Sequence, residues 1–391
     1  MIVKYPPIQG GVSRDCYWLA RLFAEMGHEV TVVTNAFEVE DQYRLALEPE
    51  DDSYLQGKFE EGSIRLVKTS IDPRHMYIPQ NNPTVSKLVG LSLEAIAHSR
   101  PDLIYSHYLE PYGFTAMIVS AISGIPYVIR HAGSDVGRLM LTEQLKPAYI
   151  EVFRRAKVVL GSARMYGTFL SFGIQPDQIM NISVNYLHPN FFTPSNEEVR
   201  YSDVLTLGIY GKAGRGKGSF ALLRAIRYLK NQGENVRLKA RWGGREMSEV
   251  HKSIADLNIQ DKVDLLPFVP QWRIPDFIHS CDASLFLEHS FSITQHSPSV
   301  PRELLTCGAA IIITSEIAQK TIYRKILTDG YNCLVLGDPK DTPAVAEKIL
   351  MLKDIHLRTT LSCNAGKTLS TSEMRERAVR SVNILLEAAL E

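Results

Sequence analysis

An excess of positive charge is missing from this sequence of 391 residues. Lysine and arginine together number 43, and so do aspartate and glutamate, so the chain lacks the basic surface with which proteins hold nucleic-acid phosphates. Low-complexity tracts are missing as well, and 45% of the residues are hydrophobic, which disfavours disordered and fibrous proteins. We therefore expect a folded protein with no nucleic-acid partner.

Cysteine is scarce and shows no sign of pairing. The five cysteines are odd in number and lack the spacing of a zinc or redox site; they are Cys16, Cys281, Cys307, Cys333 and Cys363. We interpret them as reduced thiols of a cytoplasmic protein. The opening residues 1–7 have neither the basic start nor the apolar core of a signal peptide, so secretion is not expected.

Long hydrophobic runs are also lacking. The longest uncharged stretch covers residues 111–129, but Gly113, Gly124 and Pro126 interrupt it. We predict an apolar helix followed by a strand, buried in a core rather than spanning a membrane.

The length of the chain predicts two domains, because a single hydrophobic core rarely grows beyond about 250–300 residues. Short apolar runs alternate with helical patterns in both halves, which is typical of parallel sheets wound with helices. A polar segment at 192–203 predicts the boundary, and the interval 38–82 is expected to hold loops and minor strands. The predicted strands are 29–34, 103–106, 127–130, 158–161, 204–210, 236–241, 263–266, 283–287, 310–314 and 333–336, with helices at 13–26 and 372–390.

Two glycine-rich segments follow strands, the first of them a short strand expected at the start of the chain. Gly10 and Gly11 stand before the first helix, where bare amides can face an anion or a sugar, although a plain tight turn is the simpler interpretation of this pair alone. The segment 208–218 carries several glycines and three cations between a strand and a helix, which suits a diphosphate. It is not a Walker A loop, because Lys217 is followed by Gly218. A solvated basic loop is the alternative.

The order of these landmarks resembles glycosyltransferase family 4, the large family of retaining glycosyltransferases with the GT-B fold. The matching segments are 5–12, 27–34, 102–107, 130–135 and 185–194, and the resemblance covers most of residues 3–350. It implies a GT-B fold, in which two Rossmann-like α/β domains with wound parallel sheets face a central cleft. It also implies an acceptor-side domain at 1–193, a nucleotide-sugar-binding domain at 204–371 and a last helix at 372–391 that packs back on the first domain.

The resemblance assigns roles to individual residues. His131 matches a histidine close to the donor sugar, and Lys212 and Lys217 match an arginine and a lysine that contact the diphosphate; these three are the catalytic candidates. Gln295 stands where the family has one glutamate, and Glu303 matches a second, which accepts hydrogen bonds from the donor ribose. The donor-binding candidates are Gly10, Gly11, Gly211, Arg215, Gln295, Ser297, Ser299, Val300 and Glu303, and the base-side candidates are Trp242, Gly243, Phe268 and Val269.

Most of these roles have a structural alternative. His131 alone can be a structural hydrogen-bonding group, Glu303 a carboxylate favoured by a helix N-terminus, and Trp242 a core residue. The basic run at 154–157 leaves a peripheral contact with the inner face of the membrane open, against the simpler interpretation of a solvated helix face.

The implied reaction moves a sugar, with retention, from a nucleotide-diphosphate-sugar to an acceptor saccharide, lipid or small molecule. Neither a bound metal nor a tightly bound cofactor is expected, and acceptor contacts are expected within 38–82 and near 108–112. A nucleotide-sugar epimerase or a sugar phosphorylase would share the fold. A non-catalytic nucleotide-sugar-binding protein is the remaining alternative, because Lys212 and Gln295 replace the family's arginine and glutamate. The sequence names neither the donor sugar nor the acceptor.

Overall fold

The computed structural model describes residues 1–70, 82–195, 203–291 and 298–391. Two compact units share these residues. The first unit contains Met1–Glu40, Leu47–Tyr186 and Met374–Glu391. The second contains Asp41–Ala46 and Leu187–Glu373. Each unit therefore includes a segment that is distant in sequence from the rest of it.

The first unit is built around one sheet. Its strands are β1 Ile2–Val3, β2 Glu29–Thr34, β3 Gly57–Phe59, β4 Gly62–Lys68, β5 Ile104–His107, β6 Tyr127–Arg130, β7 Val158–Leu160 and β8 Ile179–Met180. In the described part of the chain their order is β3-β4-β2-β1-β5-β6-β7-β8, and neighbours pair in parallel except β3 and β4. The accompanying helices are α1 Gly11–Glu25, α2 Asp52–Leu55, α3 Thr84–His98, α4 Phe114–Ser123, α5 Lys146–Arg154 and α6 Tyr166–Ser171.

The sequence of α1 explains its position. Mostly apolar residues fill consecutive positions of α1, so the helix is buried on almost every side at 16–20 and 22–25, while Arg14 and Arg21 stay partly exposed. The chain then turns at Gly27, whose φ of 91° favours glycine. Close to that turn, a side chain at Gly62 would place its Cβ 2.4 Å from the backbone oxygens of Ala24 and His28. Glycine at 62 thus lets β4 lie directly against the end of α1.

The interval 38–82 differs from the expectation of loops and minor strands. Strand β4 pairs in parallel with β2 along six residues and is a full member of the sheet. Only one of its faces is buried, at Ile64, while Arg65 and Lys68 are exposed, so it lacks the apolar run that marks the central strands. A half-buried strand of this kind is hard to distinguish from a polar loop by composition.

The second unit is built around a sheet that is parallel throughout its described strands. These are β9 Leu205–Lys212, β10 Val236–Gly243, β11 Val263–Leu266, β12 Ala283–Phe286, β13 Ile311–Thr314 and β14 Leu334–Leu336, in the order β11-β10-β9-β12-β13-β14. Its helices are α7 Ser219–Asn231, α8 Met247–Asp256, α9 Ile274–His279, α10 Val300–Thr306, α11 Ser315–Ala318, α12 Thr342–Met351 and α13 Ile355–Thr368. The predicted fold class, two wound α/β units, is confirmed.

The predicted strands agree with the observed ones to within two residues. Three of them, at 29–34, 127–130 and 263–266, have the same bounds in the structure. Residues 111–129 form the apolar helix and strand expected of them, as the end of a short π-helical turn followed by α4 and β6. No helix of the described ranges is both long and apolar enough to cross a membrane.

The last helix, α14 Thr371–Leu390, lies in the first unit from Met374 onward. One face of it is buried, at Met374, Ala378, Val382, Leu385 and Ala389. At its start, the Arg375 guanidinium lies 3.3 Å from the buried Glu25 carboxylate of α1.

Candidate functional site

The glycine-rich segment of the second unit turns tightly between β9 and α7. Gly218 has a φ of 76°, and a Cβ there would lie 2.4 Å from the Cβ of Leu287. Next to it, the backbone N–H of His289 donates to the carbonyl of Gly216 over 2.9 Å. Glycine is therefore needed for this loop to pack directly against the chain that follows β12.

Of the three cations in this segment, Lys217 lies next to the packed Gly218. Its ammonium pairs with the Glu288 carboxylate and lies 4.8 Å from the centre of the Phe291 ring. Glu288 is 1% exposed, whereas the Lys217 side chain keeps 33% of its surface accessible. An ammonium has three N–H donors, so Lys217 can hold Glu288 and still donate to an anion in solvent.

Glu303 lies in the first turn of α10, and 3% of its surface is exposed. Its Oε2 accepts a hydrogen bond of 2.7 Å from the hydroxyl of Tyr210, near the end of β9. The Tyr210 ring in turn packs edge-on against Phe277 at 5.9 Å. Tyr210 thus links the end of a central strand to the carboxylate that the sequence predicted to bind ribose.

The other two cations of the segment have different surroundings. The Lys212 ammonium lies 5.1 Å from the centre of the Tyr43 ring, which belongs to the short segment 41–46 of this unit. The Arg215 guanidinium forms an exposed ion pair of 3.0 Å with Glu249. Exposed pairs of this kind are weak, so Arg215 can exchange its partner at little cost.

The base-side candidates lie together only in part. Phe268 and Trp242 are both buried, and Trp242 belongs to the hydrophobic core of the unit. A Cβ at Gly243 would lie 2.4 Å from the Phe268 ring, so these two residues are in direct contact. The amide of Ala46 donates to the carbonyl of Phe268 over 2.8 Å, which attaches segment 41–46 to the same place.

Of the remaining donor-binding candidates, some lie in the described part of the chain and others lie outside it. Ser299 and Val300 stand at the start of α10, where the carbonyl of Ser299 accepts from the amide of Glu303 over 3.2 Å. Gly211, with a φ of 120°, is the last residue but one of β9. Gln295 and Ser297 lie outside the described residues.

The first unit holds the predicted histidine. The Nδ1 atom of His131, just after β6, accepts from the amide of Gly133 over 3.1 Å, so the ring proton is on Nε2. Burial and the neighbouring Arg130 lower the pKa of His131 to about 4. His131 is therefore uncharged near neutral pH and offers an N–H donor.

A charged cluster beside His131 was missed by the sequence analysis. Asp15 of α1 lies between Arg14, whose Nε donates over 3.2 Å, and Arg130, whose Nη2 is 3.7 Å away. Burial opposes ionisation of Asp15, but the two guanidinium groups outweigh it and lower its pKa. His107, at the end of β5, is buried, and its pKa is lowered by burial and then by Arg130. His107 and Arg130 stand at strand ends, which could have indicated them, whereas Arg14 and Asp15 lie within α1 and carry no such signal.

Gly10 lies at the entrance to α1 in the same unit, with a φ of 140°. The ammonium of Lys4 would be 3.9 Å from a Cβ at Gly10, so a cation accompanies the helix start. Gly11 is the first residue of the helix, and no acidic residue stands in its first turn. The amides here are available to a negative or polar ligand.

Comparisons with known proteins give the class of the chain. Residues 10–183 match the family model described as "Glycosyl transferase 4-like domain", and residues 193–368 match "Glycosyl transferases group 1". The chain belongs to the group 1 glycosyltransferases with the GT-B fold and is a glycosyltransferase enzyme.

Particular relatives agree with this assignment. One is a phosphatidylinositol N-acetylglucosaminyltransferase subunit of Arabidopsis thaliana, to which the chain is 21% identical over 88% of its own length and 72% of the relative. Another is the amylovoran biosynthesis glycosyltransferase AmsK of Erwinia amylovora, with 20% identity over 73% of the chain and 75% of the relative.

Solved structures show the same fold. Anabaena HepE in complex with UDP and glucose superposes with a TM-score of 0.67 at 16% identity, covering 98% of both chains. Sucrose-phosphate synthase of Thermosynechococcus elongatus gives a TM-score of 0.65 at 14% identity, covering 99% of this chain and 98% of that one.

Proposed function

We propose that this glycosyltransferase takes its sugar from a nucleoside diphosphate donor that is held by the second unit, and transfers it with retention of configuration. The observation that carries the proposal is the packed glycine loop, which fixes Lys217 against the buried Glu288 while leaving its ammonium accessible. The related HepE structures contain UDP, glucose or UDP-glucose, which supports a donor of this class.

The chemistry follows from where charge develops. As the bond between C1 of the sugar and the diphosphate oxygen breaks, negative charge grows on the departing diphosphate. Lys217 and Lys212 supply positive charge for it, so a bound metal is not required in this proposal. The acceptor oxygen forms the new bond to C1, and its proton passes to the departing phosphate oxygen. The resemblance to the retaining family implies that both events occur on one face of the sugar.

Two further residues would orient the donor. The Glu303 carboxylate, which accepts a hydrogen bond from Tyr210, would accept further hydrogen bonds from ribose hydroxyls. The uncharged His131, with its proton on Nε2, would donate to a sugar hydroxyl or to the diphosphate. We propose that the first unit binds the acceptor, and that the enzyme works in the cytoplasm.

Two alanine variants test the donor site. Loss of a charge-assisted hydrogen bond is worth about 1.5–3 kcal/mol, so Lys217→Ala and Glu303→Ala should each weaken binding or turnover roughly tenfold to more than a hundredfold. Lys217→Ala should act mainly on kcat, because diphosphate charge grows in the transition state. Glu303→Ala should act mainly on KM, because the ribose does not change during the reaction.

The measurement is calorimetric titration with UDP, GDP and ADP, followed by steady-state kinetics with the sugar donor of the nucleotide that binds. Lys252→Ala and Glu347→Ala, both exposed residues of the same unit, are the matched controls and should change neither constant. Unchanged affinity and turnover in both site variants would place the donor elsewhere. Turnover of the donor without any acceptor would favour an epimerase, and binding without turnover would favour a non-catalytic protein.

A further inference from the structure

A short stretch of chain before β3 is built into the second unit. Residues 41–46 belong to that unit, although residues 1–40 and 47–186, on either side of them, belong to the first. The segment begins with a single 3₁₀ turn, Asp41–Tyr43, and its Leu45 is buried, with 6% of its surface exposed. The second unit is therefore completed by a piece of chain that is distant from the rest of it in sequence.

Main-chain hydrogen bonds fasten segment 41–46 near both of its ends. The carbonyl of Gln42 accepts from the amide of Gly244 over 2.9 Å, and the amide of Ala46 donates to the carbonyl of Phe268 over 2.8 Å. Gly244 directly follows β10, and Phe268 comes two residues after β11, so the segment crosses the carboxyl ends of two neighbouring strands. The carboxyl ends of the strands are where wound α/β sheets bind their ligands.

Two glycines make room for the segment. A Cβ at Gly243 would lie 2.9 Å from the carbonyl oxygen of Gln42 and 2.4 Å from the Phe268 ring. Gly244 has a φ of 103°, a conformation that favours glycine. A side chain at 243 would displace either the segment or the ring. The sequence of β10 and of the turn after it is thus adapted to seat segment 41–46.

Tyr43 is the side chain with which the segment reaches the glycine-rich loop. The Lys212 ammonium lies 5.1 Å from the centre of the Tyr43 ring, and a Cβ at Gly244 would be 3.6 Å from the Cε1 atom of that ring. Lys212 ends β9 and is exposed. An exposed lysine samples many rotamers, and a ligand that it binds must restrict them. An aromatic ring attracts the ammonium and narrows this range before the ligand arrives.

We propose that Tyr43 is a positioning residue of the donor site, and that segment 41–46 holds its ring where it orients the Lys212 ammonium for the diphosphate. The inference rests on the proposed use of a nucleoside diphosphate donor. It adds to that site a residue from a distant part of the chain. Tyr43 acts through Lys212, whereas a ring that stacked on the base would act without it.

A double-mutant cycle separates these two modes of action. Tyr43→Leu removes the aromatic ring, Tyr43→Phe keeps it, and Lys212→Ala removes the ammonium. We expect Tyr43→Leu to raise the Kd for a nucleoside diphosphate about twofold to fivefold, the size of one exposed cation–π contact. Tyr43→Phe should bind as the wild type does. In the Lys212→Ala background, Tyr43→Leu should cause no further loss, because the group on which it acts is gone.

A third variant tests the anchoring of the segment. Leu45→Ala removes the buried apolar side chain of segment 41–46 and changes neither Tyr43 nor Lys212. It should raise the Kd to a similar extent, and Tyr43→Leu should add little to it. Tyr228→Leu, at a half-exposed tyrosine of α7 in the same unit, is the matched control and should leave the Kd unchanged.

The measurement is calorimetric titration of every variant with UDP, GDP and ADP, and thermal unfolding verifies that each variant is folded. A loss on Tyr43→Leu that persists in the Lys212→Ala background would overturn the inference in favour of stacking on the base. An equal loss in Tyr43→Phe would assign the effect to the hydroxyl and overturn it too. So would an unchanged Kd in Tyr43→Leu, Lys212→Ala or Leu45→Ala.

The same titrations keep this inference separate from the proposed function. Nucleotide binding by the wild type that Lys212→Ala weakens and Tyr43→Leu does not rejects the role of Tyr43 and leaves donor use intact. A wild type that binds none of the three nucleotides rejects donor use, and the role of Tyr43 falls with it.

Discussion

At the scale of single residues, the protonation of two histidines follows from their burial. His107 and His131 stand at the ends of β5 and β6, and the positive charge of Arg130 is near both. Burial and that charge both oppose protonation, so the rings stay neutral in the folded chain. In the unfolded chain, water solvates the same rings and they take up a proton near the ordinary histidine pKa of 6.5.

This difference predicts an acid-sensitive first unit. Because the folded pKa of His131 is lowered to about 4, the contribution of its neutral ring to folding stability is fully present above pH 6.5. This contribution is lost as the pH falls towards 4. His131→Asn cannot be protonated in this range and keeps an acceptor for the Gly133 amide. Between pH 7 and pH 5, we expect His131→Asn to lose about 1 kcal/mol less folding stability than the wild type, after allowance for partial exposure of the ring.

Urea unfolding at the two pH values measures this effect. His98→Asn, at an exposed position of α3, is the control that should follow the wild type. Equal pH dependence in His131→Asn and the wild type would contradict the prediction.

At the scale of elements, the bond between β9 and α10 has a functional consequence. Tyr210 of the strand donates to Glu303 of the helix, so the carboxylate is oriented by an element other than its own. We propose that Tyr210 is a positioning residue, which acts on the donor through Glu303.

Tyr210→Phe removes the hydroxyl and keeps the ring. We expect a donor KM that is roughly fivefold to thirtyfold higher, with little change in kcat, because one hydrogen bond to a carboxylate is worth about 1–2 kcal/mol. Tyr228→Phe, a half-exposed tyrosine of α7, is the matched control. If Tyr210 has a purely structural role, Tyr210→Phe should instead lower the thermal stability without raising KM selectively over kcat. Steady-state kinetics and thermal unfolding together distinguish the two results.

The elements also mark the limit of what sequence predicts. Buried parallel strands such as β13 are short apolar runs, and the glycines near 218 are visible as a local pattern, so most strands of the two sheets and the loop could be predicted, but the half-buried β4 could not. The partners of the site residues could not. Glu288 is 71 positions from Lys217, and Tyr210 is 93 positions from Glu303. No local pattern links residues so far apart, and only folding brings them together.

At the scale of the whole molecule, substitutions in the last helix, α14, test which of the two units that helix stabilises. Leu385 of α14 is fully buried, and its neighbour Ile384 is 48% exposed. Leu385→Ala should cost about 2–5 kcal/mol, the usual range for a buried leucine, whereas Ile384→Ala should cost little.

Hydrogen–deuterium exchange locates that loss. We expect Leu385→Ala to accelerate exchange in residues 1–40 and 47–186, which share a unit with α14, and to leave 187–373 as in the wild type. Faster exchange confined to 187–373 would show that the helix stabilises the other unit. Ile384→Ala should leave both regions unchanged.

The first unit is built from segments that are far apart in the sequence, and this has a consequence for its synthesis. A ribosome makes residues 1–186 early, but α14, which completes their unit, emerges only after residues 187–373 have been translated. At about 5–20 residues per second, the nascent first unit waits on the order of ten to forty seconds with the binding surface for α14 uncovered. During that interval the apolar groove that Val382 and Leu385 later fill is open to chaperones and to other nascent chains. A message that ends early therefore yields a polypeptide whose first unit stays unfinished and remains a substrate for cellular quality control.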